Sequence, residues 1–333
     1  MSDLSLAHLT AAAATVHAVL PPTPQFRWPL LEAALAQRPG DGTQLWVKHE
    51  NHGPVGAFKL RGGLVYLQAM AARGERPAGL VSATRGNHGQ SIALSAQRHG
   101  LPATIVVPRG NSREKNAAMR ALGAELIEHG DDFQAAREHA QALAAQRGWH
   151  MVPSFHADLV AGVASYALEL FGAMPAAAPL HTVYVPIGLG SGACGVIAAR
   201  DALGLATEVV GVVSSGAPAY ALSIAAGQPV SHAVSTVLAD GMACRTPEPA
   251  ALAMLQRGLA RVVQVSDAQV AAAMRQLFEA THQVAEGAGA AAWAAALADR
   301  AQAAGRRSAV ILSGGNVDRD LYAPVLAGTW PAH

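Results

Sequence analysis

The sequence predicts an α/β protein built from two open, twisted parallel sheets with helices on both faces. Three observations carry that reading. Short β-rich runs alternate with longer helical patterns along most of the chain, the rhythm of strand–helix–strand units. Three glycine-rich turns, at 84–89, 188–195 and 313–316, each follow a strand pattern and lead into a helix. The length of 333 residues, 51% of them hydrophobic, suffices for two modest domains that share a cleft.

In chain order, the Ala-rich stretch 9–20 reads as an ordinary packed helix. Strands are expected at Gln44–His49, 79–84, Ala103–Val107, 124–127, Thr182–Pro186, 208–213, 262–265 and 309–312. Helices follow most of them, among others 88–99, 113–122, Phe133–Arg147 and 270–282. No repeat of 20–50 residues and no low-complexity linker interrupts the pattern. In open α/β sheets ligands gather at the carboxyl ends of the strands. Three glycine-rich turns in that register point to one ligand gripped from several sides.

Charge narrows the ligand. Lys+Arg is 24 and Asp+Glu is 23, with no long run of one sign, so nothing marks a nucleic-acid or acidic-membrane surface. A small molecule fits better. Cys194 and Cys244 stand too far apart for a metal-type spacing or a disulfide framework, which suits a reducing cytoplasm. From Asp3 to His8 there is no basic leader, and no apolar run approaches a membrane span. The expectation is a cytoplasmic protein with no membrane partner.

Only three of the basic residues are lysines: Lys48, Lys59 and Lys115. Arginine is a poor nucleophile, whereas a lysine amine can be tuned to form a Schiff base. Lys59 lies in the run 53–63, beside Phe58 and several glycines, where a loop becomes a helix. A cation is not favoured at the positive end of a helix. A crowded apolar setting would lower its pKa toward a reactive value. Lys48 falls in a strand pattern and Lys115 in the charged helix start Arg113-Glu114-Lys115, and both read as structural.

The other turns supply polar groups. Thr84, Arg85, Asn87 and His88 cluster at a helix N-terminus, a good seat for a carboxylate; capping alone would also explain Asn87. Gly188, Leu189, Gly190, Ser191 and Gly192 form a turn whose N–H groups can cradle a phosphate. Residues 190–195 also spell G-x-G-x-x-G, the dinucleotide fingerprint. That motif needs an acid near the end of the next strand, and Val212-Val213-Ser214-Ser215 has none. Ser313, ending the last strand, could offer a hydroxyl to a ring nitrogen, or could simply be a turn serine.

In order and spacing these stretches resemble the fold-type II pyridoxal-phosphate enzymes, in the branch of threonine dehydratase and serine racemase. The matching runs are 47–63, 82–90, 186–195, 239–241, 286–290 and 312–316. The resemblance implies pyridoxal 5'-phosphate as cofactor, with Lys59 as its covalent anchor and Phe58 beside it. It implies Asn87 at the phenolic oxygen, Gly188–Leu189–Gly190–Ser191–Gly192 on the phosphate and Ser313 at the ring nitrogen. It gives Thr84, Asn87 and His88 to the substrate α-carboxylate, with Arg85 in the same turn. It divides the chain into a large domain, 1–69 and 154–333, and a small inserted domain, 70–153. It implies a homodimer, and no regulatory extension after His333.

The activity so implied is loss of water from a threonine- or serine-type β-hydroxy amino acid, giving a 2-oxo acid and ammonia. Four departures bear on it, one of them that Pro153-Ser154-Phe155-His156 replaces the polar run usual near the cofactor. Ala57 stands where relatives often carry serine. Arg85 stands where racemases of the group carry the serine that acts as second base. The family's divalent-cation site uses carboxylates that 214–220 lacks, so no metal is expected. A 3-hydroxyaspartate dehydratase, an amino-acid racemase, a β-replacement enzyme and a cofactor-binding protein with little turnover remain alternatives.

Overall fold

A computed structural model describes residues 4–330. Asp3 and His333, on which the expectations about leader and tail rest, lie outside the described residues. The strands are β1 (Gln25–Arg27), β2 (Gln44–His49), β3 (Leu80–Ala83), β4 (Ala103–Val107), β5 (Glu125–Glu128), β6 (His150–Met151), β7 (Thr182–Pro186), β8 (Glu208–Ser214), β9 (Arg261–Val265) and β10 (Arg307–Leu312). The helices are α1 (Leu6–His17), α2 (Pro29–Leu35), α3 (Lys59–Ala72), α4 (Asn87–Arg98), α5 (Arg113–Ala121), α6 (Phe133–Arg147) and α7 (Ala157–Gly172). There follow α8 (Ser191–Ala202), α9 (Ala219–Ala226), α10 (Pro249–Gly258), α11 (Asp267–Thr281), α12 (Gly287–Ala298), α13 (Arg300–Ala303) and α14 (Arg319–Leu326).

Two sheets result: six strands ordered β1-β2-β10-β7-β8-β9, and four ordered β5-β4-β3-β6. The four-stranded sheet is parallel throughout. The six-stranded sheet departs from the expected all-parallel arrangement at one edge, where β1 runs antiparallel to β2. Three residues between Pro24 and Trp28-Pro29 are too few to show periodicity, and an edge tolerates flanking prolines. The two-residue β6 escaped the sequence pattern for the same reason of length.

Local chemistry sets the helix ends. The Asp132 side chain accepts from Ala135 N–H (2.8 Å) to open α6, and Gly148 closes it in the left-handed region. Ser266 and Gln269 form a reciprocal capping box on α11. Helix α12 is nearly all Ala and Gly around Trp293 and has no polar face. It is accordingly buried at the core of the larger sheet, with Trp293 fully enclosed.

The core fixes the start of α3. Helices α3 and α7 approach so closely at Gly162 that a Cβ there would stand 2.3 Å from Arg61 O. Arg61 is fully buried and held by Glu50 (2.7 Å) and Glu169 (2.6 Å); Lys48 joins Glu169 at 2.5 Å. Removing one partner from such a set strands a buried charge, at a cost of about 3–5 kcal/mol. Lys48 is thus structural, as the sequence suggests, and the network anchors the helix that begins at Lys59.

Candidate active site

Three adjacent strands, β2, β10 and β7, run parallel, so the loops after them open on one edge of the sheet. These loops carry residues 50–58, 313–316 and 187–190. A narrow cleft lies there, lined by Phe58, Lys59, Asn87, Pro186, Gly188, Leu189, Gly190, Ser191, Gly192, Gly241, Met242, Glu286, Ala288 and Ser313. Nine sequence-predicted residues meet in it: Phe58, Lys59, Asn87, Gly188, Leu189, Gly190, Ser191, Gly192 and Ser313. Thr84, Arg85 and His88, from the predicted carboxylate turn, are not among the lining residues.

Lys59 is the first residue of α3. Its carbonyl accepts from Ser91 Oγ at 2.7 Å, which ties it to α4. The loop before it is stitched to the loop after β10: Phe58 N–H donates to Ser313 O (3.1 Å) and Gly315 N–H to Gly56 O (2.9 Å). The Lys59 amine has no hydrogen-bond or ion-pair partner among the described residues; the Phe58 ring lies 5.3 Å away. Burial drives its pKa below the usual lysine range, and Glu286 only partly opposes this. An unpartnered amine of lowered pKa in a cleft is more readily available as a nucleophile and a base than an ordinary lysine.

The turn 188–192 is shaped for close approach to a ligand. Gly190 has φ +101, a conformation that L side chains rarely adopt. At Gly188 a Cβ would stand 2.3 Å from Gly241 O. Two tyrosines hold the turn from behind, Tyr220 OH donating to Leu189 O and Tyr166 OH to Gly192 O, both at 3.0 Å. The first N–H groups of a helix have no intrahelical acceptor, and Ser191 and Gly192, which open α8, line the cleft. Such an array takes a phosphate.

The remaining polar groups include several that local patterns did not single out. Asn87 Nδ2 donates to Glu286 Oε1 at 2.6 Å, and Asn316 Nδ2 donates to Asn87 Oδ1 at 2.8 Å. Lys115, read from sequence as structural, sends its ammonium to Asp240 (2.8 Å) and Glu286 (3.1 Å). The runs 239–241 and 286–290 belong to the resemblance, yet nothing local shows Asp240 or Glu286 as members of one cluster. Burial pushes the Glu286 carboxyl above the ordinary range, opposed by Lys115 and reinforced by Asp240. His88 is buried and held neutral, its pKa pushed down to about 3 by burial and then by Lys59. Arg85 is half-buried; its Nε is sealed from solvent without a partner.

An anion cradle, a lysine of lowered pKa and a buried serine hydroxyl converge on one cleft. That combination fits a phosphorylated aldehyde cofactor: the lysine for the aldehyde, the glycine turn for the phosphate, Ser313 and Asn87 for the ring's polar atoms. Fold and site define an α/β enzyme of the cofactor-dependent lysine type. The chain belongs to the pyridoxal-phosphate dependent enzyme family, whose model matches residues 20–314.

It is 34% identical to an L-threonine ammonia-lyase of Thermotoga maritima over 83% of this chain and 68% of that one. An L-threo-3-hydroxyaspartate ammonia-lyase of Saccharomyces cerevisiae is 30% identical over 86% and 87% of the two chains. The chain spans about half the length of the biosynthetic threonine dehydratases that it also matches. Among solved structures, processed threonine deaminase isoform 2 of Solanum lycopersicum superposes with a TM-score of 0.86 at 27% identity, covering 97% of this chain and 89% of that one.

Proposed function

We propose that this chain is a pyridoxal-phosphate-dependent ammonia-lyase that dehydrates a threonine- or serine-type β-hydroxy amino acid to a 2-oxo acid and ammonia. The observation that carries the reading is the Lys59 amine, buried, unpartnered and depressed in pKa, at the mouth of an anion-binding glycine turn. Pyridoxal phosphate, when bound, supplies the electron sink that makes the Cα–H bond acidic. Residues 188–192 would hold its phosphate and Lys59 its aldehyde carbon. The neutral Ser313 hydroxyl would meet the ring nitrogen, and the free amide N–H of Asn87 the phenolic oxygen.

Once exchanged for the substrate amine, Lys59 is the base placed to take the Cα proton. The first N–H groups of α4, at Asn87 and His88, would seat the α-carboxylate, with Thr84 bracing the turn by accepting from Gly86 N–H at 2.9 Å. A neutral hydroxyl at 313 keeps the electron sink moderate, which favours prompt loss of the β-hydroxyl over longer-lived carbanion chemistry.

A second reading is favoured by Arg85. A half-buried guanidinium without an acid beside it suits a substrate with a second carboxylate, such as 3-hydroxyaspartate, the substrate named for the yeast relative. The proposal extends to a cytoplasmic homodimer. Two free, buried cysteines support a reducing compartment. Phe26 on the edge strand β1 and Leu30 at the start of α2, 50% and 66% exposed, support a covering partner. Among the described residues no helix is long and apolar enough to cross a membrane.

The test is to incubate purified holoenzyme with threonine, serine and 3-hydroxyaspartate, following ammonia, 2-oxo acid and enantiomer composition. Stoichiometric ammonia and 2-oxo acid are expected. Enantiomer formation without 2-oxo acid would replace the lyase reading with a racemase, and no turnover of any of them would remove it.

A further inference from the structure

Lys115 sits in the first turn of α5, beside the four-stranded sheet, yet both its ion-pair partners belong to the other side of the cleft. Its ammonium lies 2.8 Å from Asp240 and 3.1 Å from Glu286 Oε2. The other Glu286 oxygen accepts from Asn87 Nδ2. Asn87 Oδ1 is taken by Asn316 Nδ2, which also donates to Val55 O at 2.8 Å. That chain of bonds has one direction. With its oxygen occupied, Asn87 turns its nitrogen to Glu286, spends one N–H there and keeps the second for the cleft it lines. The lysine stem packs under the same turn: a Cβ on Gly86 would stand 2.4 Å from Lys115 Cδ.

Helix α5 is itself seated from the six-stranded side. Arg113 and Glu114 N–H donate to Asp318 (3.1 and 3.3 Å), and Arg319 N–H donates to Glu114 Oε1 (2.9 Å). The charged groups around Glu286 are Lys115, Asp240 and, across the cleft, Lys59.

We propose that Lys115 is a positioning residue of the site: clamped between Asp240 and Glu286, it orients Asn87 through Glu286 and ties that orientation to the seating of α5. The proposal deepens the cofactor reading and does not depend on which amino acid is the substrate. Without the lysine, the strongest influence opposing the upward push that burial and Asp240 exert on the Glu286 carboxyl is gone and chiefly the Asn87 hydrogen bond is left, so Glu286 takes up a proton at higher pH. Its electrostatic pull on the Lys59 amine is lost with it.

The test uses Lys115→Met and Lys115→Arg, each in the native and the Glu286→Gln background. Two readouts need no substrate: rebinding of pyridoxal phosphate to the apoenzyme by fluorescence, and pH titration of the holoenzyme's visible absorbance. Lys115→Met should weaken cofactor binding on the order of tenfold and move the Glu286-dependent limb to higher pH by about 1–3 units. Lys115→Arg should restore most of both, and in the Glu286→Gln background Lys115→Met should change neither. Unchanged binding and titration, or equal losses in both backgrounds, would overturn the proposal. Should Lys115→Met not be recovered folded, Asp240→Asn serves: it removes a like charge and keeps the lysine, so the limb should move to lower pH, and an unmoved limb would overturn the proposal as well.

Discussion

Phe58 and Ser313, 255 positions apart by numbering, are joined by a backbone hydrogen bond of 3.1 Å from Phe58 N–H to Ser313 O. The neighbouring pair Ala57 and Gly314 forms an antiparallel bridge. The residue that would anchor the cofactor's aldehyde and the one that would meet its ring nitrogen therefore hang from one stitched backbone element. Their separation is set by peptide geometry, not by flexible side chains, so substitutions at either end should change chemistry without moving the other.

At the lysine end, Lys59→Ala should abolish turnover and the visible absorbance that accompanies covalent cofactor, while phosphate affinity persists through residues 188–192. Absorbance spectroscopy of dialysed protein with an ammonia assay checks this. A Lys59→Ala variant that stays active and keeps that band would return attention to Lys115.

At the serine end, Ser313→Asp should alter the holoenzyme spectrum and slow elimination. Ser313 is 4% exposed, and a carboxylate there would favour a protonated ring nitrogen where a hydroxyl does not. The deeper sink would hold negative charge longer at Cα. Spectra and single-turnover kinetics both unchanged would detach Ser313 from the ring.

How far the sequence revealed this site follows from the range of each interaction. Lys59, the turn 188–192 and Ser313 were legible because each sits in a local pattern, a strand end running into a glycine turn and a helix. Fold class was legible for the same reason, since β4 and β7 are contiguous apolar runs bounded by turns. Lys115, Asp240 and Glu286 carry no local pattern, and Asn316 shows only as the end of a glycine turn; what joins them is tertiary placement of distant loops around Asn87. Lys115 in particular looks like any cation in a charged helix start until Asp240 and Glu286 are brought beside it. The antiparallel β1 was missed because three residues hold too little periodicity to show direction.

His88 gives a pH prediction. Its imidazole stays neutral in the folded protein down to about pH 3, whereas in the unfolded chain it takes up a proton below about pH 6.5. Between those values the unfolded state binds the extra proton. Stability therefore falls as pH falls through that window, by at most about 1.4 kcal/mol per pH unit from this group. Thermal melts of the apoenzyme from pH 7 to pH 4 should show a shallower decline for His88→Asn than for the native protein. Parallel declines would mean the imidazole is protonated, or solvated, in the fold.

Arg85 decides between the two substrate readings. It lies in the turn between β3 and α4, two residues before Asn87, and its buried Nε has no acceptor. Among the described residues the fully buried lysines and arginine are paired: Arg61 with Glu50 and Glu169, Lys48 with Glu169, Lys115 with Asp240 and Glu286. A half-buried guanidinium with an unmet donor is poised for an anion brought from outside, and its planar fork matches a carboxylate. It has no accessible neutral form, so it is a poor second base, and racemisation should be weak beside elimination. Arg85→Ala and Arg85→Ser should be assayed on threonine, serine and 3-hydroxyaspartate. A loss of about 10- to 100-fold in kcat/KM confined to 3-hydroxyaspartate, as expected for one lost charge-assisted bond, would assign the guanidinium to a second carboxylate. A shared loss that falls on KM would assign it to the α-carboxylate instead. Kinetics unchanged on all three would turn Arg85 away from the substrate altogether, and enantiomer formation rising in Arg85→Ser alone would show that the arginine is what holds this site to elimination.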